Sequence, residues 1–264
     1  MSGPLAVMTV LLAEVAAGGA VVMWATGIWG HVRRGFFLLS GVVVTVFAWG
    51  AWATGRAGVR AARLEHGAEA VPGGDAMVAS LLVFALLLTV WQVVMLTSRE
   101  PLSKVVGLVA TAAGPIALVL VAISRSDRVG LAVAEVMFGA LFLGSTLYGL
   151  LLGHWYIFER RLSNTHMMRG ARWYVAGVVA AVGAAALSAM NPAPALGGFS
   201  PFLAVPGFSL YLALGLVSVC ALIAGFVWKL ADEGGRSIQA ATGLFYLAVI
   251  MAFSAEMAAK FRFF

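Results

Sequence analysis

The chain has 264 residues, of which 62% are hydrophobic and only 11% are charged. Its mean hydropathy is +0.99, and a water-soluble domain of this length is far less apolar, so the composition indicates an integral membrane protein. The net charge of +6 does not point to nucleic acid. The basic residues lie between apolar segments, where such residues set orientation and meet anionic lipid head groups.

Eight apolar segments approach the roughly 20 residues that a helix needs to cross a bilayer. They predict membrane-spanning helices at 5–29, 36–54, 77–97, 105–123, 131–153, 174–190, 207–231 and 240–259. The first begins without the positive region of a secretory signal, so we expect it to be retained. The polar stretch 55–76 is predicted to be a loop, and the uncharged, proline-rich stretch 191–207 a loop at the membrane interface.

The distribution of Lys and Arg predicts the orientation. If the first loop is cytoplasmic, that side of the membrane holds ten of the 17 basic residues and the other side holds seven. We therefore expect both termini outside. No eukaryotic targeting pattern is present, which favours a bacterial inner membrane.

A pattern of short motifs occurs twice in the sequence, in the same order each time. It consists of Ala-Glu-Val with a glycine three residues later, then Gly-His, then Arg-Gly; the copies begin at Ala13 and at Ala134. The ordered match predicts one all-α membrane domain built as a parallel repeat of four plus four helices, covering 1–123 and 124–264. Four spans per unit is an even number, so both halves would point the same way, and sites in such folds commonly lie where the halves meet.

Three carboxylates fall within the predicted spans: Glu14, Glu135 and Glu256. An ionisable group at membrane depth is costly, so each is a candidate for handling a proton or a ligand. Gly18 and Gly139 follow the first two by four residues and lie on the same helix faces, where they would let a neighbouring helix or ligand approach.

Two structural alternatives accompany this hypothesis. Glu14 and Glu135 could lock the two halves together as protonated or hydroxyl-paired groups. Glu256 has Lys260 four residues later, a spacing typical of a plain surface ion pair on a helix.

The opposite ends of the first and fifth spans carry histidines, basic residues and aromatics. They predict a pocket for a planar or anionic head group, formed by His31, Arg34, His154, Trp155, Tyr156 and Arg160. The alternative is that Trp155 and Tyr156 only anchor a helix end at the interface. His31 and His154 could also hold one haem between the halves, a less favoured hypothesis; His66 and His166 are predicted to lie in loops.

We expect a membrane subunit of a respiratory or photosynthetic electron-transfer complex, without catalytic activity of its own, that contacts quinone or handles protons. Its four-plus-four arrangement is similar to the eight-helix, quinone-interacting subunits of the polysulfide-reductase membrane-anchor type. Its partners would be the lipid bilayer and other membrane or redox subunits. The alternatives are a small proton- or cation-coupled transporter or channel, and a structural or assembly protein. The chain has no nucleotide-binding loop and no hydrolase motif.

Overall fold

A computed structural model describes residues 3–67, 69–97, 100–125, 128–159, 161–190 and 207–260, and these form eight α-helices. They are α1 (Pro4–Ala25), α2 (Arg34–His66), α3 (Gly74–Leu96), α4 (Glu100–Ile123), α5 (Val129–Phe158), α6 (Asn164–Met190), α7 (Phe208–Glu233) and α8 (Ser237–Lys260). Each of the eight is long and apolar enough to cross a membrane. The predicted class, an all-helical multi-pass membrane protein, is confirmed.

Several helices are longer than predicted, and the second and the sixth differ most. The second extends to His66, so residues 55–66 are helical and their prediction as loop was wrong. Its polar end is a helix face rich in arginine, and Gly67, with φ of +94°, follows its last residue. The sixth begins at Asn164, which places His166 inside a helix rather than in a loop. The predicted interface loop 191–207 lies, apart from Gly207, outside the described residues.

The two central helices are α1 and α5. The first packs against α2, α4 and α5, and α5 packs against α6, α8 and α4. Around them, α2 contacts α3 and α3 contacts α4, while α6 contacts α7 and α7 contacts α8. Most of the apolar core therefore lies along α1 and α5, whose central stretches are more buried than those of the outer helices.

Small residues let α1 and α5 touch backbone to backbone. A Cβ added at Gly18 would overlap the carbonyl oxygen of Ala140, and one added at Gly144 would overlap the backbone of Gly18. Glycine at such a crossing removes the side-chain spacer between helices, so that they pack at close range. The expectation that Gly18 admits a neighbouring helix is confirmed, and that neighbour is α5.

A similar contact joins α5 to α8. A Cβ at Gly149 would overlap the ring of Phe245, and a Cβ at Gly153 would overlap the side chain of Thr242. The last helix therefore packs directly against a central helix. The contact joins the late part of α5 to the early part of α8. From there α8 runs back toward the membrane face at which α1 begins, called here the terminal face.

Candidate functional site

The three intramembrane carboxylates predicted from the sequence converge in space. Their relative exposures are 0% for Glu14, 2% for Glu135 and 3% for Glu256. They belong to α1, α5 and α8, which contact one another. At about 1.5 Å per residue, Glu14 lies roughly 15 Å along α1 from its start, near the middle of that helix, and Glu135 lies roughly 9 Å along α5.

A buried lysine joins two of these carboxylates. The ammonium nitrogen of Lys260 lies 2.9 Å from Oε2 of Glu14 and also donates to Oε2 of Glu256, one helical turn earlier. Lys260 is 1% exposed. The interpretation of Glu256 and Lys260 as a surface pair is therefore wrong, because the end of α8 packs against α1 and α5 and takes the pair into the interior.

The third carboxylate has a different cation. Nη2 of Arg125, in the turn after α4, lies 3.7 Å from Oε1 of Glu135, and both side chains are buried. Glu135 is also close enough to Glu14 and to Lys260 to interact electrostatically with them. These five residues form one group, called here the charge cluster: Arg125, Glu135, Glu14, Lys260 and Glu256.

The carboxylate of Glu14 rests directly on the other central helix. A Cβ at Gly139 would lie 2.7 Å from Oε1 of Glu14, so only glycine leaves room for the carboxylate there. Among the described residues, no hydrogen-bond donor reaches this Oε1. An oxygen with no donor in a buried site is a place for a proton or a bound water, because an unsatisfied buried acceptor is costly.

The charges of the cluster do not cancel. Three carboxylates and two cations leave one negative charge when all five groups are ionised. An uncompensated charge in a low-dielectric interior is strongly unfavourable, and binding one proton removes it. The arrangement can therefore hold one proton, shared among groups that already contact the same lysine.

Sequence reasoning found three members of this cluster and missed two. Glu14, Glu135 and Glu256 interrupt apolar runs, which is a visible signal. Arg125 and Lys260 stand at the ends of apolar runs, where basic side chains usually reach out to the membrane surface. Nothing local in the sequence separates such residues from ones that turn inward.

The residues of the predicted head-group pocket have separate neighbours. The ring of His31 lies 5.9 Å from that of His166, whereas Nε2 of His154 contacts the hydroxyl of Tyr246. The two histidines proposed to share a haem thus have different partners. Among the described residues, no group of three or more His, Cys, Asp or Glu side chains is placed to hold a metal ion.

The aromatic members of that predicted pocket tie helix ends together. Nε1 of Trp155 donates to Glu159 at 2.8 Å. The hydroxyl of Tyr156 donates to the carbonyl of Ser163 and accepts from the backbone N–H of Met167. Arg160 lies outside the part of the chain that the structure describes.

Arg34 instead lines a cavity of about 230 Å³ at the face opposite the terminal face. Trp29 and Phe37 stack with ring centroids 3.8 Å apart, and Trp29 also stacks on Trp24 at 4.1 Å. Six of the residues around the cavity are Trp29, Arg34, Phe37, Met95, Glu100 and Ser103. The cavity combines a flat aromatic wall with charged and hydroxyl side chains, a composition typical of small-molecule sites.

No protein-family model matches this chain, and no curated protein or solved structure is significantly similar to it. The fold by itself does not imply a function, so the charge cluster and the aromatic cavity are the features that bear on it.

Proposed function

We propose that this protein is a non-catalytic membrane subunit of an electron-transfer complex, in which the charge cluster holds an exchangeable proton. The observation that carries the proposal is the excess of buried acids over bases, among the described residues, where α1, α5 and α8 meet the turn after α4. Buried ionisable groups in membrane helices commonly mark proton or ion pathways.

The lysine suits proton exchange because it has two carboxylate partners. When Glu14 binds the proton, Lys260 keeps its ion pair with Glu256, and when Glu256 binds the proton, Lys260 keeps its ion pair with Glu14. Neither step leaves the ammonium unpaired in the interior, which would be the most costly outcome. Glu135 keeps Arg125 as its partner throughout.

The cluster also extends toward the membrane surface. Arg125 lies just after the end of α4 at the terminal face, Glu135 lies in the second turn of α5, and Glu14 lies near the middle of α1. Their spread gives a graded series of depths over roughly 15 Å, at about 1.5 Å per residue. We infer that protons enter and leave at the terminal face, past Arg125 and Glu135.

The aromatic cavity supports the electron-transfer setting. A planar quinone head group could pack against the edges of the stacked Trp29 and Phe37 rings, while the guanidinium of Arg34 could donate to its carbonyl oxygens. The cavity lies near the face opposite the terminal face, whereas the charge cluster lies between the terminal face and the middle of the membrane. In this proposal the bound cofactor is a quinone, and haem is not required.

The helix contacts support the four-plus-four hypothesis. Within each set of four helices, the first contacts the second and the fourth, and the remaining neighbours contact in chain order. A parallel repeat would place α1 and α5 in equivalent positions, with the charge cluster where the halves meet. We retain this repeat, both termini outside and a bacterial inner membrane as parts of the proposal.

Two measurements test the proposal. The tagged chain, purified in a gentle detergent, is analysed by mass spectrometry and by UV–visible spectroscopy for redox subunits and bound quinone. In the same preparation, infrared spectroscopy looks for the carbonyl stretch of a protonated carboxylic acid. We expect partner subunits and a carboxylic-acid band that is lost in Glu14→Gln or Glu256→Gln. If the chain purifies alone, with neither bound quinone nor a carboxylic-acid band, the proposal is contradicted.

The position of the charge cluster favours a second candidate, a proton-coupled transporter. Substrate and coupling-ion sites in duplicated transporters lie at the interface between repeats near mid-membrane, where Glu14 meets Gly139. Proteoliposomes with an imposed pH gradient distinguish the two, because only the transporter moves protons or a solute without partner subunits. If Glu14→Gln with Glu135→Gln changes stability alone, the cluster is a structural lock.

A further inference from the structure

The second helix is the longest of the eight described helices and exceeds the thickness of the membrane core. Its 33 residues span roughly 50 Å at about 1.5 Å per residue, whereas the hydrocarbon core of a bilayer is about 30 Å thick. Its last turns therefore extend past the core on the terminal face, at the level of the lipid head groups. Trp52, whose residue type is enriched at the membrane interface, lies where this extension begins.

The extension carries three arginines on one face. Arg56, Arg60 and Arg63 follow Trp52 at intervals of four, four and three residues, which places all four side chains along one side of the helix. The guanidinium of Arg56 lies over the ring of Trp52, 5.5 Å from its centroid. The basic face thus starts on the interfacial tryptophan and runs outward from it.

An open groove of about 620 Å³ separates this face from α3. Its walls combine basic and aliphatic side chains, among them Arg56, Val59, Arg60, Val78 and Leu82. Leu82 lies about 10 Å further along α3 than Asp75, at about 1.5 Å per residue, so the aliphatic wall descends from the head-group level into the hydrocarbon. The groove is basic at its outer end and apolar at its inner end.

Within the described part of the chain, an acid neutralises only Arg63 of these three arginines. Nη2 of Arg63 donates to Asp75 at 2.8 Å. Among the described residues, neither Arg56 nor Arg60 forms a salt bridge with a carboxylate. The groove therefore presents two positive charges, spaced one helical turn apart, toward whatever occupies it.

We propose that this groove binds one anionic phospholipid, with its phosphate between Arg56 and Arg60 and an acyl chain along Val78 and Leu82. Guanidinium groups suit phosphate because they donate parallel hydrogen bonds to its oxygens. Charge complementarity selects an anionic head group, and the descending aliphatic wall selects a lipid rather than a free phosphate. The proposal is independent of the charge cluster and of any proton exchange.

The test compares lipid retention by native mass spectrometry in three proteins: wild type, Arg56→Gln with Arg60→Gln, and Arg161→Gln with Arg236→Gln. The last is the matched control, since it removes two exposed arginines from the opposite face. Each protein is titrated with phosphatidylglycerol and, separately, with phosphatidylcholine. Thermal unfolding in the same detergent micelles, without added lipid, verifies that all three are folded.

We expect wild type and the control to prefer phosphatidylglycerol. In the groove variant, the ratio of the affinities for phosphatidylglycerol and phosphatidylcholine should fall by about 30-fold. Each basic residue near an anionic lipid contributes roughly a factor of five. Equal preference in all three proteins overturns the proposal. So does complete displacement of the lipid by millimolar inorganic phosphate, which would show a site for a free anion.

Discussion

The ammonium of Lys260 lies 2.9 Å from the carboxylate of Glu14, and this contact joins the last turn of the last helix to the middle of the first. Both side chains are fully buried. An ion pair withdrawn from solvent gains little net stability when intact, but removing one partner strands the other charge. The stability of the protein therefore depends on whether each of these buried charges keeps its partner.

Replacing the lysine tests this dependence. Lys260→Met leaves Glu14 and Glu256 without a shared cation, so we expect the free energy of unfolding to fall by about 3–5 kcal/mol. Reversible denaturation in mixed detergent micelles measures it. The matched control is Lys104→Met, which removes an exposed lysine paired with Glu100 at the same i, i+4 spacing. We expect the control to unfold nearly as wild type does, and an equal loss in both variants would show that burial of the lysine is irrelevant.

Replacing Glu14, the carboxylate partner of Lys260, is expected to change the stability much less. Glu14→Gln reproduces the shape of a protonated Glu14 and leaves both remaining ion pairs intact. We therefore expect its unfolding free energy to stay within about 1 kcal/mol of wild type, well above that of Lys260→Met.

Adding Glu14→Gln to Lys260→Met should recover about 0.5–3 kcal/mol, because the double variant has one buried negative charge fewer than the single one. Wild type, the two single variants and the double variant are unfolded under identical conditions, which completes a double-mutant cycle. Strictly additive losses would mean that Glu14 and Lys260 do not act on one another.

The backbone contact between the central helices gives a separate prediction. Gly18→Ala places a Cβ on the carbonyl oxygen of Ala140, and overpacking typically costs about 1–3 kcal/mol. The matched control is Gly215→Ala in α7, where an added Cβ meets nothing within 4 Å. Alanine has the higher helix propensity, so we expect the control to be unchanged or slightly stabilised. Differential scanning fluorimetry of both variants measures the difference, and similar melting curves would contradict the close approach of α1 and α5.

The sequence is sufficient to predict the eight spans and the unusual carboxylates. An acid inside about 20 apolar residues is conspicuous, because its insertion cost must be offset by a function or a partner. Glu14, Glu135 and Glu256 were identifiable for this reason. The close approach beside Gly18 was likewise predictable, since small residues mark helix crossings in membranes.

The partners of those acids were not predictable from local patterns. Whether Lys260 turns inward depends on where α8 packs, and that contact joins segments from opposite ends of the chain. Hydropathy also reads the arginine-rich end of α2 as a loop, although arginine is a good helix former. The tertiary contacts decide both cases, and a one-dimensional pattern does not contain them.

A variant of Tyr156 can distinguish a structural role of this residue from its predicted role in a head-group pocket. Its hydroxyl donates to the carbonyl of Ser163 and accepts from the N–H of Met167, so it fastens the α5–α6 connection from both sides. Tyr156→Phe leaves the buried N–H of Met167 without its acceptor, a loss worth about 1–3 kcal/mol. We expect lower thermal stability with quinone binding unchanged, measured by scanning fluorimetry with and without a soluble quinone analogue. The control is Tyr211→Phe: Tyr211 is 72% exposed, so loss of its hydroxyl should leave stability unchanged. A Tyr156→Phe variant of wild-type stability that no longer binds the analogue would instead assign Tyr156 to the head-group site.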